Sequence, residues 1–437
     1  MKSPHHPAMK RESFMRYLRS VKVAALFFLF ASFMQTPAQT RTDTSLRVAK
    51  PITMAQLKTT KTSGVSVVEV SDYVFGNYQG QFVTSPPHAD LNPKKAFIIF
   101  WKDFDYRFVF WHEASYCPWL ELPSGAALSY QFFEGNEGWA ELFNDYGRME
   151  RNSFVDIIES GPQRVWVRWT YLGVNMSTGG AGYRGTEDFW AFPNGLILRR
   201  QQYETLMPGN NKGYAREPIE LIGMAPVGKL WFDLLEQDAA TGENRAFIGL
   251  DAFSNARADV LWKSAPQPGK PWASTSRRTG SPWKEIDDAR GFAGIIPFKD
   301  GSPFVMFGDN SGFSYDVTKL KEHSDKATGG WGWRSLSWDH WPIGWLNSQA
   351  HDVDDQSYKI YPNHFSPFGM DLWSMPNEAT ERRPFFSLMG AGTSDVEAIR
   401  RLARSWLERG AARATDPAYV STLRSLKDAA PARAPRR

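Results

Sequence analysis

From Val65 onward, short apolar runs recur between turn-forming residues, and within several of them apolar and polar positions alternate with the period of two that a half-buried strand requires. The runs are Val65–Val70, Ala96–Trp101, Tyr106–Trp111, Ala127–Phe133, Phe154–Glu159 and Arg164–Tyr171. Rich in β-branched and aromatic residues, they predict an antiparallel sheet protein. Arg164–Tyr171 alternates most cleanly: Val165, Val167, Trp169 and Tyr171 fall on one face, and Arg164, Trp166, Arg168 and Thr170 on the other. The second face can stack on a sugar and pair with a carboxylate or sulfate, or it can be a solvated face on which arginine stems cover a tryptophan. Asn194-Gly195, between Thr186–Phe192 and Leu196–Tyr203, predicts a hairpin closed by a two-residue turn of the primed type. Further strands are predicted at Pro218–Ile222, Lys229–Leu235, Ala246–Leu250, Gly294–Pro297 and Pro303–Gly308.

Near the C-terminal end the period changes to that of a helix. Ser394 and Glu397 form a capping-box pattern, Val396, Ile399, Leu402, Trp406 and Leu407 make one apolar stripe, and Gly410 ends the run. Asp416-Pro417 opens a possible second helix before a basic tail. No repeat of fixed period occurs, which counts against propellers and solenoids. The expected architecture is all-β: one large antiparallel β-sandwich over 64–390, supersandwich or jelly-roll-like, with a short helical extension and tail over 391–437. Residues 39–63 read as a linker, and the Pro-, Ser- and Gly-rich stretch between Lys263 and Arg290 as a long loop or subdomain junction.

Composition fits this class: 437 residues, 42% of them hydrophobic, supply a large core, and 18 tryptophans favour strands. Residues 1–38 stand apart, with a basic start, the apolar run Val23–Met34 and small residues at Thr36-Pro37-Ala38, the pattern of a secretory signal peptide. The apolar run is short of the ~20 residues a membrane span needs. The segment carries six Lys/Arg and one Glu, so the formal +4 of the whole chain becomes −1 without it. With the basic tail 411–437 also set aside, 39 basic and 44 acidic residues remain in 39–410, and a body near −5 has no electrostatic footprint for nucleic acid. Cys117 is the single cysteine, so the chain has no intramolecular disulfide; a nucleophilic Cys117 near His112 is weighed against a small buried apolar residue.

Two aromatic segments concentrate the candidate chemistry. Gly329–Trp345, GGWGWRSLSWDHWPIGW, surrounds His340 and Asp339 with Trp331, Trp333, Trp338, Trp341 and Trp345. Phe100–Trp119 carries Trp111, His112, Glu113 and Tyr116, where an imidazole and a phenol one short turn apart can divide the removal and return of a proton. For each histidine the alternative is a satisfied polar member of an aromatic core. Between the two segments, Glu141, Asp145, Arg148, Glu150 and Arg151 crowd a loop or strand edge that can supply an arginine to a substrate carboxylate. His351, Asp352, Asp354 and Asp355 are weighed as cation ligands, without a recognisable loop spacing. Nucleotide-binding, zincin and nucleophile-elbow motifs are absent.

WHEASYCPWLEL, NDYGRMERNSFVDIIES followed by RVWVRW, and DHWPIGWLNSQ resemble, in that order, segments of secreted bacterial ulvan-lyase-like polysaccharide lyases, where the corresponding pieces read roughly WHG-x-x-Y-x-P, SDK-x-x-x-SHVRIIE, RVVVHWR and NHWP. The resemblance implies a secreted β-sheet enzyme that cleaves an acidic polysaccharide by β-elimination. It matches His112, Tyr116, Asp145, Arg168, His340 and Trp341, and departs at Phe154, where a histidine is family-like, and at Glu113, where a glycine is. The expected roles are His112 or His340 as base, Tyr116 as acid, Arg148 or Arg168 as carboxylate neutraliser, and Trp111, Asp145, Arg164, Trp166, Trp338 and Trp341 as substrate contacts. The expected partner is the polysaccharide itself, with no nucleic acid and no stable membrane insertion; no cofactor is expected, calcium being the one ion weighed, and the oligomeric state stays open. Two alternatives remain: a non-catalytic glycan-binding sandwich, and a glycoside hydrolase using Glu141 and Asp145 or Glu187 and Asp188.

Overall fold

The computed structural model describes residues 50–78, 94–130, 132, 134–135, 140–141, 153–175, 181–206, 216–217, 219–263, 276–282, 285–286, 291–307, 359, 362–370, 384–392 and 395–409. All belong to one compact unit, Ser45–Arg437. The strands in chain order are β1 (Val65–Val70), β2 (Ala96–Trp101), β3 (Arg107–Trp111), β4 (Pro118–Glu121), β5 (Ala127–Ser129), β6 (Glu134–Gly135), β7 (Ala140–Glu141), β8 (Ser153–Gly161), β9 (Arg164–Asn175) and β10 (Ala181–Ala191). They continue with β11 (Ile197–Thr205), β12 (Arg216–Glu217), β13 (Ile219–Ala225), β14 (Asn244–Asp251), β15 (Arg257–Trp262), β16 (Ser276–Gly280), β17 (Phe292–Ile295), β18 (Ser302–Phe307), β19 (Asn363–Met370) and β20 (Phe385–Gly392).

Among the described residues these strands make two antiparallel sheets, one of seven strands in the order β1-β2-β3-β4-β5-β13-β19 and one of thirteen that runs from β12 through β9, β10, β11 and β20 to β16. The predicted all-β architecture is therefore found. One core cluster draws on both sheets: Phe108 and Phe110 of β3 meet Phe189 of β10 with ring centroids 5.5 and 5.3 Å apart. Polar ends of aromatic side chains stitch the sheets together, as buried Tyr and Trp generally need a partner. The Trp101 indole donates to the Phe192 carbonyl (2.7 Å), the Tyr106 hydroxyl to the Gly195 carbonyl (2.8 Å) and the Tyr130 hydroxyl to the Phe304 carbonyl (3.2 Å).

The C-terminal helix, Val396–Arg409, covers part of the other face of the larger sheet. Its buried stripe of Val396, Ile399, Leu402, Ala403 and Trp406 packs on Trp190, Leu198, Phe304 and Leu388. The cap lies one residue later than predicted: the Asp395 carboxylate accepts the backbone N–H groups of Glu397 (3.0 Å) and Ala398 (3.1 Å).

Four local expectations change. The β10–β11 hairpin turns through three residues, with Gly195 at φ 84° and its N–H donating to the Phe192 carbonyl, because Pro193 presets an ordinary turn and Asn194 does not take positive φ. Residues 50–63 are not plain linker: Thr53 and Gln56 form a capping box on the short helix Met54–Leu57, and Ile52 bridges Val70. Part of the stretch read as a long loop is strand β16, paired with β15. Lys229–Leu235 holds a helical turn, Trp231–Leu234, in place of a strand, because Asn363 binds both the Trp231 N–H (2.9 Å) and the Lys229 carbonyl (2.7 Å), removing them from any ladder.

Candidate functional site

β3 ends at Trp111, and the chain turns through His112–Ala114 before β4 begins. Ser115 and Tyr116 follow with φ of 52° and 61°, two successive non-glycine residues in the left-handed region. Each such residue costs about 1–2 kcal/mol, so surrounding bonds must impose the conformation. The Tyr116 N–H donates to the Trp111 carbonyl (2.8 Å) and the Cys117 N–H to the Ala114 carbonyl (2.9 Å). From the larger sheet, the Ser153 hydroxyl (2.7 Å) and the Trp169 indole (3.1 Å) both donate to the Ser115 carbonyl.

This turn brings together two of the residues expected to do proton chemistry, His112 and Tyr116. His112 Nδ1 lies 3.0 Å from Glu113 Oε1, with both side chains buried. The His112 and Tyr116 rings meet edge to face at 5.5 Å, and Phe97 backs Tyr116 at 6.0 Å. A carboxylate at Nδ1 fixes the orientation of the imidazole and favours the tautomer with the proton on Nδ1. Glu113, the departure from the resembling family, is thus the carboxylate beside the imidazole, a role that sequence spacing alone does not assign.

Neighbouring side chains exclude other chemistries. Trp111, expected as a substrate contact, is fully buried between Tyr73 and Trp119, with ring centroids at 5.4 and 6.0 Å, so it is a core residue. Cys117 is buried beside Ser129, and burial pushes its thiol well above the ordinary range, which removes the thiolate that a nucleophile needs.

The arginine face lies elsewhere. Trp169 points at Ser115 on the inner face of the larger sheet, so alternation puts Arg164, Trp166 and Arg168 on its outer face. Arg168 therefore does not share a site with His112 and Tyr116. It pairs with Asp188 directly across β10, Nε to Oδ1 at 2.9 Å and a terminal nitrogen to Oδ2 at 3.3 Å. Arg200, in register on β11, reaches the same carboxylate at 2.5 Å, and the Trp166 indole donates to it at 2.7 Å. Arg164 is engaged by Glu159 at 2.9 Å. Phe154, where a histidine is family-like, is on this outer face and 46% exposed.

Glu187 and Asp188 cannot flank one glycosidic bond, being strand neighbours that point to opposite faces. Glu187 turns inward to fully buried Arg199 (2.6 Å) and accepts from the Tyr171 hydroxyl (2.7 Å). Burial pushes the Glu187 carboxyl up, and the Arg199 charge opposes that. Gly185 makes room for this cluster, since a Cβ there would sit 2.1 Å from the Tyr171 ring.

His340, Trp338, Trp341, Asp145, Arg148, the His351–Asp355 group and the signal-like segment lie outside the described residues. Among the described residues no group of three or more His, Cys, Asp or Glu is arranged to hold a metal ion, and no helix is long and apolar enough to cross a membrane. Comparison of the chain with protein-family models, with curated proteins and with solved structures finds no match.

Proposed function

We propose that the protein is a secreted polysaccharide lyase that cleaves a uronate-containing, ulvan-like polymer by β-elimination at the His112–Tyr116 turn. The observation that carries this reading is the bolted left-handed pair Ser115–Tyr116, which holds a phenol against a carboxylate-oriented imidazole. Backbone strain maintained by side chains of another sheet is characteristic of functional sites.

The reaction needs a base to take the proton α to the uronate carboxyl group, and an acid for the departing glycosidic oxygen. His112 Nε2 takes the proton; the C–H electron pair forms the new C=C bond as the C–O bond to the leaving sugar breaks; Tyr116 protonates that oxygen. Solvent then returns a proton to Tyr116 and removes one from His112. Glu113 stabilises the imidazolium formed in the first step. Of the two arginines expected to neutralise the substrate carboxylate, Arg168 faces away, and the assignment passes to Arg148. With His112 taken as base, Trp338, Trp341 and Asp145 keep their expected roles in sugar contact.

Incubation of the mature protein with uronate polysaccharides tests the reaction class. A lyase generates unsaturated uronate ends that absorb in the ultraviolet, one for each reducing end. Reducing ends without that absorbance would make the protein a hydrolase and overturn the proposal.

A further inference from the structure

One peptide unit in the His112–Tyr116 turn is held at its two ends by different sheets. Its N–H, on Tyr116, donates to the Trp111 carbonyl at the end of β3 (2.8 Å). Its C=O, on Ser115, accepts from the Ser153 hydroxyl of β8 (2.7 Å) and the Trp169 indole of β9 (3.1 Å), so both lone pairs of that oxygen are used. A peptide plane is rigid, and fixing its two ends fixes the ψ of Ser115 and the φ of Tyr116. That φ, 61°, sets the direction in which the Tyr116 side chain leaves the backbone. The larger sheet therefore aims the phenol through the carbonyl beside it.

The two donors are themselves held. Ser153 is in register with Tyr171, which puts it diagonal to Trp169 on the inner face of the sheet. Both side chains are buried, so water does not compete for the carbonyl. The Trp169 ring lies 4.3 Å from that of Tyr171, whose hydroxyl donates to Glu187 (2.7 Å). A serine hydroxyl and an indole each have one proton to donate, and here both go to the same backbone oxygen. At the far end of this connection the Tyr116 ring is buried against His112 at 5.5 Å. Proton delivery to a departing oxygen depends steeply on position, and about 1 Å of misplacement can lower a rate roughly 10²-fold.

We infer that Ser153 and Trp169 are positioning residues for the elimination: through the Ser115 carbonyl they hold Tyr116 where it protonates the leaving glycosidic oxygen. Their role requires no contact with the base or the substrate. It belongs to the acid half of the reaction, so it enters turnover and leaves binding of the polymer alone. The inference rests on the lyase reading of the turn.

Kinetics and hydrogen exchange together test it. Ultraviolet absorbance gain is followed on ulvan, polygalacturonate and alginate for the full mature chain, for Ser153→Ala, which removes the hydroxyl, and for Trp169→Phe, which keeps a ring and removes the indole N–H. Each variant should lower kcat by at least about tenfold with KM within about threefold of wild type, the pattern of a group that acts on the transition state and not on binding. Ser153→Thr keeps the hydroxyl and should retain most of the wild-type kcat. Exchange needs no turnover: the Tyr116 amide should exchange at least about tenfold faster in Ser153→Ala and Trp169→Phe, while the amides of β3 keep their protection. Trp169 belongs to the core, so if its variant loses stability, Ser153→Ala decides the outcome. Wild-type kcat in the variants, unchanged exchange at Tyr116, or a joint change of kcat and KM with protection lost throughout β3 would overturn the inference and leave the lyase reading standing. No absorbance gain from the wild type on any of the three polymers would instead overturn the lyase reading, and the positioning role with it.

Discussion

Ser115 and Tyr116 adopt φ of 52° and 61°, and neither is the glycine that such a backbone favours. The cost is met by contacts from outside the turn, chiefly the two donors on the Ser115 carbonyl. Replacing Ser115 by Gly removes the steric penalty but loosens the unfolded chain, so stability should stay within about 1 kcal/mol of wild type. Ser115→Val places a β-branched side chain in the same backbone and should cost roughly 1–3 kcal/mol. Denaturant unfolding of the two variants measures the difference; equal stability would show that the strain is not real. The nearness of His112 and Tyr116 is legible in the sequence, because a strand followed by a tight turn leaves little else for WHEASYC to do. Glu113 and the left-handed pair are not legible, since both depend on what the larger sheet presents to the turn.

At the scale of the strand, one dipeptide organises two environments. Glu187 and Asp188 point to opposite faces, the first into a dry core with Arg199 and the second outward to Arg168 and Arg200. Arg199→Met would leave the Glu187 carboxyl buried without its cation and should destabilise by about 3–5 kcal/mol. Adding Glu187→Leu should recover much of that loss, because an apolar pair of similar volume needs no compensation. Additive losses in the double variant, read from denaturant midpoints, would show that the pair is not coupled. The alternation of Arg164–Tyr171 made the two faces of β9 readable in advance, and with them the separation of Arg168 from Trp169. What alternation could not reveal is which face meets the His112 turn. β20 is not legible for a related reason: FFSLMGAG lies centrally in the sheet with both faces largely covered, so it has no polar rhythm.

At the scale of the whole molecule, two sheets share one core, and the C-terminal helix adds a smaller one on the outer face. Trp406 is fully buried in that second core, so Trp406→Ala should cost about 3–5 kcal/mol. A loss below about 1 kcal/mol in thermal or denaturant unfolding would mean that the helix is not integral to the sandwich. The sandwich sets the His112 turn at the end of β3 and the Arg168–Asp188–Arg200 cluster on the far side of β9. The proposed elimination takes place at the turn. Its most direct measurement is the initial rate of ultraviolet absorbance gain on a uronate polysaccharide for the wild type, His112→Ala and Tyr116→Phe. The wild type should show a steady gain, and each variant a fall of at least about 10²-fold with folding intact. Wild-type rates in both variants, or no absorbance gain on any uronate polymer, would contradict it.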